Sequence, residues 1–398
     1  MIYTTPNSAA GLAKPLSPEE LDLPQQGSDR ILLVTILMLM IFGLLAVYSS
    51  IAFFAETRGT TAWSLLSNHM VKIGLAVVVM LIFSKIHYRQ IARYNLFFLI
   101  LSWTLLVAVL FFGDVVFGAR RSISIGGISF QPSMMASAAL LIHVSNLLSE
   151  KQGYIKDAKR SFLPILFWVL PTCALIGLED FSSAGLLLGI CLILMVVGRI
   201  SLPQMSILFL IGAIGGMLLV TSSAERQSRV QEYIQQIQQI ESTELNRGAG
   251  YQAQQSYIAI AQGQLAGVGI GKSTQRNFLP APYNDFIYSI ITEEYGLIGA
   301  FAVLLLFVIV MIRGIAVIAR RAEDSLGILL ATACTLGIVL FGFVNAMVAS
   351  GLLPVTGLPM PFVSYGGTSS LISAALAGIL LNISKHSRDR LPGVSQTA

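Results

Sequence analysis

Long apolar runs separated by short polar stretches recur from residue 31 to residue 384. A run of about 20 largely apolar residues can cross a bilayer core as a helix. On that measure spans are expected at 31–52, 69–85, 94–113, 132–149, 161–178, 183–199, 202–222, 285–312, 325–350 and 364–384, ten in all. The segment 1–30, with prolines at 6, 15, 18 and 24 and acids at Glu19, Glu20, Asp22 and Asp29, reads as a disordered tail, and 385–398 as a second tail. The one long interruption is 223–284. Within it, Val230, Tyr233, Ile234, Ile237 and Ile240 recur at helical spacing in a Gln-rich stretch, which predicts an amphipathic helix at the membrane interface or a docking surface. That helix should break at Gly248-Ala249-Gly250, and a second should cover 251–262.

Composition turns this pattern into a class. The chain has 398 residues, 55% hydrophobic and only 11% charged, with a mean hydropathy of +0.76. Soluble domains carry roughly a quarter charged residues. The fold expected is therefore an all-α polytopic membrane protein. Cys173, Cys191 and Cys334 fall within apolar runs and have no disulfide or metal spacing. The net charge of +5 is modest, and no nucleic-acid partner is expected. Its distribution is more informative. With the N-terminus inside, inner segments hold sixteen of the 25 Lys and Arg, and the short outer segments hold four (Arg58, Lys72, Arg120 and Arg121). The other five lie in the long loop, which the positive-inside rule exempts. Both termini are thus expected to be cytoplasmic, with the large loop between helices 7 and 8 extracytoplasmic.

Candidate chemistry gathers at the outer boundary. Asp285 stands directly before the apolar run Phe286-Ile287-Tyr288-Ser289-Ile290-Ile291, where a carboxylate is costly to place and marks a site. Lys272 and Ser273 follow glycines, yet a phosphate loop needs a glycine where Ala266 stands, and no strand precedes it. Those glycines are read as turn formers or as points where the backbone approaches a lipid headgroup. Arg120 and Arg121 are adjacent in an outer loop and suit either headgroup anchoring or phosphate oxygens. Asp180 lies in a short outer turn; Glu293 and Glu294 lie inside the span that follows Asp285, with one of the two expected to face the interior. His143 is read as an interior histidine, and no cluster has the spacing of a tightly held metal. Pro354, Pro359 and Pro361 preclude a regular helix, so 351–368 is read as a re-entrant loop or a tight connection.

These residues carry a resemblance. Gly351 to Thr368 resembles the signature of the SEDS family (shape, elongation, division and sporulation), which includes FtsW, RodA and SpoVE. Gly118-Ala119-Arg120-Arg121, Phe130-Gln131-Pro132-Ser133, Leu178 to Ser183 and Gly263 through Gly299 resemble further family motifs, the last closer to the division branch. The resemblance implies a peptidoglycan glycosyltransferase, multi-pass in the bacterial cytoplasmic (inner) membrane. Such an enzyme polymerises lipid II, an undecaprenyl-pyrophosphate-linked disaccharide peptide, with a class B penicillin-binding protein transpeptidase and divisome proteins as partners. Asp285 falls on the family's essential aspartate and Arg120 and Arg121 on its arginine pair. Lys272, Ser364 and Tyr365 are carried as substrate-binding positions, and Asp180, Glu293 and Glu294 as supporting ones. No cofactor is certain, and a loosely bound divalent cation (Mg or Mn) is one candidate to assist. A lipid II transporter and an elongation-type polymerase are the alternatives.

The chain also departs from the family pattern. Ala281-Pro282-Tyr283-Asn284 replaces a segment that usually contains Glu and His, and Glu179 stands where proline is usual. Met134 and Ser137 occupy the positions of a usual Glu and Lys, which implies a repacked helix rather than a stranded charge.

Overall fold

The computed structural model describes residues 27–57, 61–116, 119–125, 128–238, 249–279 and 281–386. Most of both tails, Arg58, Ile240, Gly248 and Pro280 lie outside them. The described chain is nearly all helical. Its helices are α1 (Arg30–Thr57), α2 (Ala62–Lys85), α3 (Tyr88–Arg93), α4 (Asn95–Phe112), α5 (Pro132–Glu150), α6 (Leu163–Glu179) and α7 (Phe181–Val197). They continue as α8 (Leu202–Thr221), α9 (Ala224–Gln238), α10 (Ala249–Gly263), α11 (Ile287–Met311), α12 (Ser325–Ala349) and α13 (Gly367–Lys385).

Among the described residues, nine helices are long and apolar enough to cross a membrane. The expected span at 183–199 is α7, an apolar helix of 17 residues that reaches about 26 Å at ~1.5 Å per residue. Two spans begin elsewhere than hydropathy suggests. α2 starts at Ala62, where the Thr61 side chain accepts the Ser64 N–H at 3.3 Å; Ser64, Ser67 and Asn68 dilute the apolar signal of its first turns. α11 starts at Ile287, so Asp285 lies in the turn before it. An all-α fold is also not quite what forms. β1 (Asp114–Val116), β2 (Ala119–Ile125) and β3 (Ile128–Phe130) make a small antiparallel sheet in that order, with β2 alternating Ser122, Ile123, Ser124 and Ile125 as a strand does.

α12 and α13 are largely buried and form the middle of the bundle, whereas α8 turns most of its surface outward. Its exposed Phe209, Leu210, Met217 and Leu218 make an apolar face suited to lipid rather than to water. The two described ends of the chain meet at one end of the bundle. The Asp29 N–H donates to Ser384 Oγ at 3.0 Å, and the Asp29 carboxylate pairs with Arg313. Nearby, Tyr88 and Arg89 both bind the Asp324 carboxylate at 3.0 Å. From Asp324, α12 runs about 30 Å to Asn345, at ~1.5 Å per residue, and that opposite end holds the candidate site.

Candidate active site

After Ala349 the backbone leaves the helix through Gly351 (φ 83°) and turns again at Gly357 (φ 73°) and Phe362 (φ 65°). Its next residues go inward rather than out to solvent: Leu358, Met360, Phe362, Val363 and Ser364 are all buried. The backbone of Phe362 and Val363 abuts Gly43, near the middle of α1, and a Cβ there would collide with it. The segment is therefore re-entrant, with its irregular backbone buried in protein as membrane depth demands.

This loop holds the backbone beside Asp285. Ser364 Oγ donates to the Asn284 carbonyl at 2.7 Å and accepts the Met360 N–H at 2.8 Å. The Tyr365 N–H donates to the Tyr283 carbonyl at 2.8 Å. Asn345 Nδ2 bridges the two segments, donating to the Asp285 carbonyl at 2.9 Å and the Leu358 carbonyl at 2.7 Å. Asp285 is thus half-buried on a turn fastened on both sides. The Ser364 hydroxyl, expected at substrate, is engaged in that fastening.

Next to the turn lies an aromatic and cationic layer that hydropathy alone did not reveal. The rings of Tyr283 and Tyr365 meet edge-on at 5.5 Å. Lys72 Nζ lies 4.6 Å from the centre of the Tyr365 ring, within cation–π range. His69, one turn earlier on α2, is buried with its ring 5.0 Å from Tyr365. The legible signal was a His and a Lys three residues apart inside an apolar span, which places them on one helix face. Asn345, a lone amide in the apolar α12, was legible on the same ground.

The glycine loop has a specific task. α11 is broken at Gly296 (φ 67°), and residues 263–269 supply the backbone partners that the break removes. The Val268 and Gly269 N–H groups donate to the Glu293 and Glu294 carbonyls at 2.9 and 3.1 Å. In return, the Leu297 and Ile298 N–H groups donate to the Gln264 and Leu265 carbonyls at 2.9 and 3.3 Å. A Cβ at Gly263, Gly267 or Gly296 would collide with the facing backbone. Here the glycines serve close approach between two stretches of main chain.

Both Glu293 and Glu294 are buried, not one of the pair as expected, because the 263–276 loop wraps the broken helix end on one side and α1 covers the other. Glu293 accepts from Thr274 N at 2.8 Å, Thr274 Oγ1 at 3.1 Å, Gln275 N at 3.3 Å and the Ser273 hydroxyl. Glu294 accepts from the Ser49 hydroxyl and from Ser273 N at 3.4 Å. Lys272 is exposed on the same loop.

Asp180 is buried between α6 and α7 and caps the latter, accepting Ser183 N at 3.1 Å and Ser183 Oγ at 2.7 Å. The backbones of Arg120 and Arg121 lie in β2, with Arg120 opposite Val115. Thr368, at the start of α13, ties this sheet to the signature loop by accepting Gln131 N and donating to the Ser129 carbonyl, each at 3.1 Å. Met134 and Ser137 are buried, and Ser137 Oγ donates to the Ser133 carbonyl at 2.8 Å, so no charge is stranded there. His143 binds Asn95 Oδ1 at 2.5 Å and packs against Trp168, as an interior histidine does. Among the described residues, no three His, Cys, Asp or Glu side chains gather to hold a metal.

Fold and site together define a polytopic helical membrane protein in which a re-entrant loop and Asn345 fix the main chain around an aspartate at one end of the bundle. The chain belongs to the FtsW/RodA/SpoVE family of cell cycle proteins, whose pattern it matches over residues 29–389. It is 33% identical to stage V sporulation protein E of Bacillus subtilis (strain 168) over 364 residues, 90% of this chain and 98% of that protein. It is 31% identical to the probable peptidoglycan glycosyltransferase FtsW of Saccharophagus degradans over 361 residues, 89% of this chain and 92% of that one. Two solved structures share the fold at 22% identity. One belongs to a peptidoglycan synthase complex (TM-score 0.70, covering 90% of this chain and 97% of that chain). The other is the rod shape determining protein RodA of Thermus thermophilus (TM-score 0.63, covering 90% and 96%).

Proposed function

We propose that the chain is a peptidoglycan glycosyltransferase that polymerises lipid II at the outer face of the cytoplasmic membrane, in septal synthesis. The observation that carries this reading is the fastened turn at Asp285, whose backbone is bound by Asn345 and whose neighbours Tyr283 and Asn284 are bound by the signature loop. A carboxylate held in place can remove a proton from the acceptor sugar hydroxyl as the new bond forms at the donor's anomeric carbon. The bond from that carbon to the lipid pyrophosphate breaks, and Arg120 and Arg121 stabilise the departing negative charge. Tyr365 and Lys72 form a wall against which a sugar and an anion can be oriented. Asp180, Glu293 and Glu294 position the surrounding backbone.

Orientation follows from charge. Arg89, Arg313 and Lys385 gather at the end that holds both described chain ends, and that end is assigned to the cytoplasm. The long 223–284 loop and Asp285 then face outward, where a crosslinking class B penicillin-binding protein and other division proteins can meet them. The name of the FtsW relative and the synthase complex that shares the fold support the polymerase activity and a crosslinking partner.

The test is a gel assay for glycan strands with purified protein and its transpeptidase partner. Asp285→Asn is expected to lower polymerisation by about 100-fold or more, while membrane insertion and partner binding persist. Full activity in that variant would remove Asp285 from the chemistry. Translocation of lipid II in liposomes without any glycan product would favour a transporter instead.

A further inference from the structure

A cavity of about 680 Å³ opens between the α6–α7 turn, the α8–α9 junction and residues 353–358. Such a volume is in the range that houses a small ligand. Phe181, Leu186, Val220 and Val344 give it apolar walls, and Arg226 and Arg229 line it from α9. The two arginines are three residues apart and so share a helix face. Tyr233, one turn beyond Arg229 on that face, donates its hydroxyl to the Leu352 carbonyl at 2.9 Å and fastens α9 across the proline loop. Arg226 donates to the Leu219 carbonyl at 3.0 Å and to the Leu178 carbonyl, which fixes its guanidinium while leaving further N–H donors. Glu179 is also on the wall, so among the described lining residues two cationic side chains face one anionic one.

This combination selects its occupant. A guanidinium pair matches phosphate oxygens, while a free anion makes no use of the apolar walls. A neutral lipid, conversely, makes no use of the arginines. The cavity also shares a wall with the candidate site, because the amide of Asn345 that holds the Asp285 carbonyl also holds that of the lining residue Leu358. We infer that the cavity binds the pyrophosphate and first isoprenoid units of a lipid-linked substrate, one of the two that polymerisation must bring together. The role rests on the polymerase reading; the binding rests on the chemistry of the cavity.

The experiment uses the full chain in nanodiscs, with farnesyl pyrophosphate as probe and farnesol and inorganic pyrophosphate as comparators. Farnesyl pyrophosphate is expected to bind more tightly than either. Arg226→Gln with Arg229→Gln should weaken it about tenfold or more. A Cβ at Gly185, a lining residue, meets nothing within 4 Å, so Gly185→Leu should fill the cavity and block binding without strain. In turnover, the arginine variants should raise KM for lipid II more than they lower kcat. Asp285→Asn should retain full probe binding. Equal affinity for pyrophosphate would make this a free-anion site, and equal affinity for farnesol a plain apolar groove; either overturns the inference, as does unchanged binding in both the arginine and the Gly185 variants. Retained turnover in Asp285→Asn would instead sink the polymerase reading and leave the binding result standing.

Discussion

The two ends of the bundle handle charge in opposite ways. At the end that holds both described ends of the chain, opposite charges meet: Arg313 with Asp29, and Arg89 with Asp324 at 3.0 Å and with Glu323 at 3.8 Å. At the Asp285 end, buried carboxylates are held by hydroxyls and backbone N–H groups: Glu293 by residues 273–275, Glu294 by Ser49 and Ser273, and Asp180 by Ser183. Two of the described cations there also bind uncharged groups, although Arg276 feels the Glu294 carboxylate as well. Lys72 lies over Tyr365, and Arg276 donates to the Ser49 carbonyl at 2.8 Å. A salt bridge uses both charges on each other, whereas a carboxylate held by dipoles leaves nearby cations able to receive an incoming anion. The first arrangement ties helices together; the second keeps charge available to a pyrophosphate.

The sharpest way to break this comparison is to strike the main-chain clamp that positions Glu293 and Glu294. Gly267 has φ 82°, and its missing Cβ makes room for the Glu294 carbonyl. Gly267→Ala adds both an unfavourable conformation and an overlap with backbone that cannot move aside. A loss of about 3 kcal/mol or more is expected, read as a large fall in melting temperature together with loss of glycan synthesis. A variant as stable as the parent would show that residues 263–269 do not hold the break in α11.

That clamp also marks where the sequence stops being legible. The apolar runs located the spans because lipid demands long apolar helices. The prolines of 351–368 announced an irregular segment, and Asp285 announced itself as a charge beside a span. The break at Gly296 sits inside an apolar run, and its replacement hydrogen bonds come from residues about thirty positions earlier in the chain, so no local pattern records it. For Lys72 and His69 the shared helix face was legible from their spacing, but their place beside Tyr365 is set only once α2 has packed. The strands around Arg120 and Arg121 are too short to outweigh the apolar helices on either side of them. Asn345 is different. A single amide in the apolar α12 is a visible signal, because a lone polar side chain in such a run needs a partner.

A weaker blow falls at the paired end. Asp29 caps α1 by accepting Leu32 N at 2.9 Å on Oδ1, and it pairs with Arg313 through Oδ2. Asp29→Asn keeps the cap and removes the charge. Arg313 is partly exposed, so solvent makes up some of the loss, and about 1–2 kcal/mol is expected. Because the pair lies at the far end from Asp285, kcat of the folded protein should not change. A stable Asp29→Asn protein with a depressed kcat would show that the two ends do not divide the work as described.

The smallest effect concerns protons at that same end. His87 caps α3, with Nδ1 accepting the Arg89 N–H at 3.2 Å, and its ring packs against Tyr88 and His386. Burial pushes its pKa down to about 4, helped by His386 and Arg89 and opposed by Asp324. In the unfolded chain it titrates near 6.5. The folded state therefore binds fewer protons than the unfolded state between those values. The neutral ring's contribution is complete above pH ~6.5 and declines as pH falls toward ~4, where both states become protonated. Asparagine at this position is also a good cap but has no proton to gain. The melting temperature of the parent should thus fall more steeply from pH 7 to pH 5 than that of His87→Asn. Parallel slopes would mean that His87 meets solvent freely, and that the paired end carries no buried group sensitive to acid in this range beyond what the variant retains.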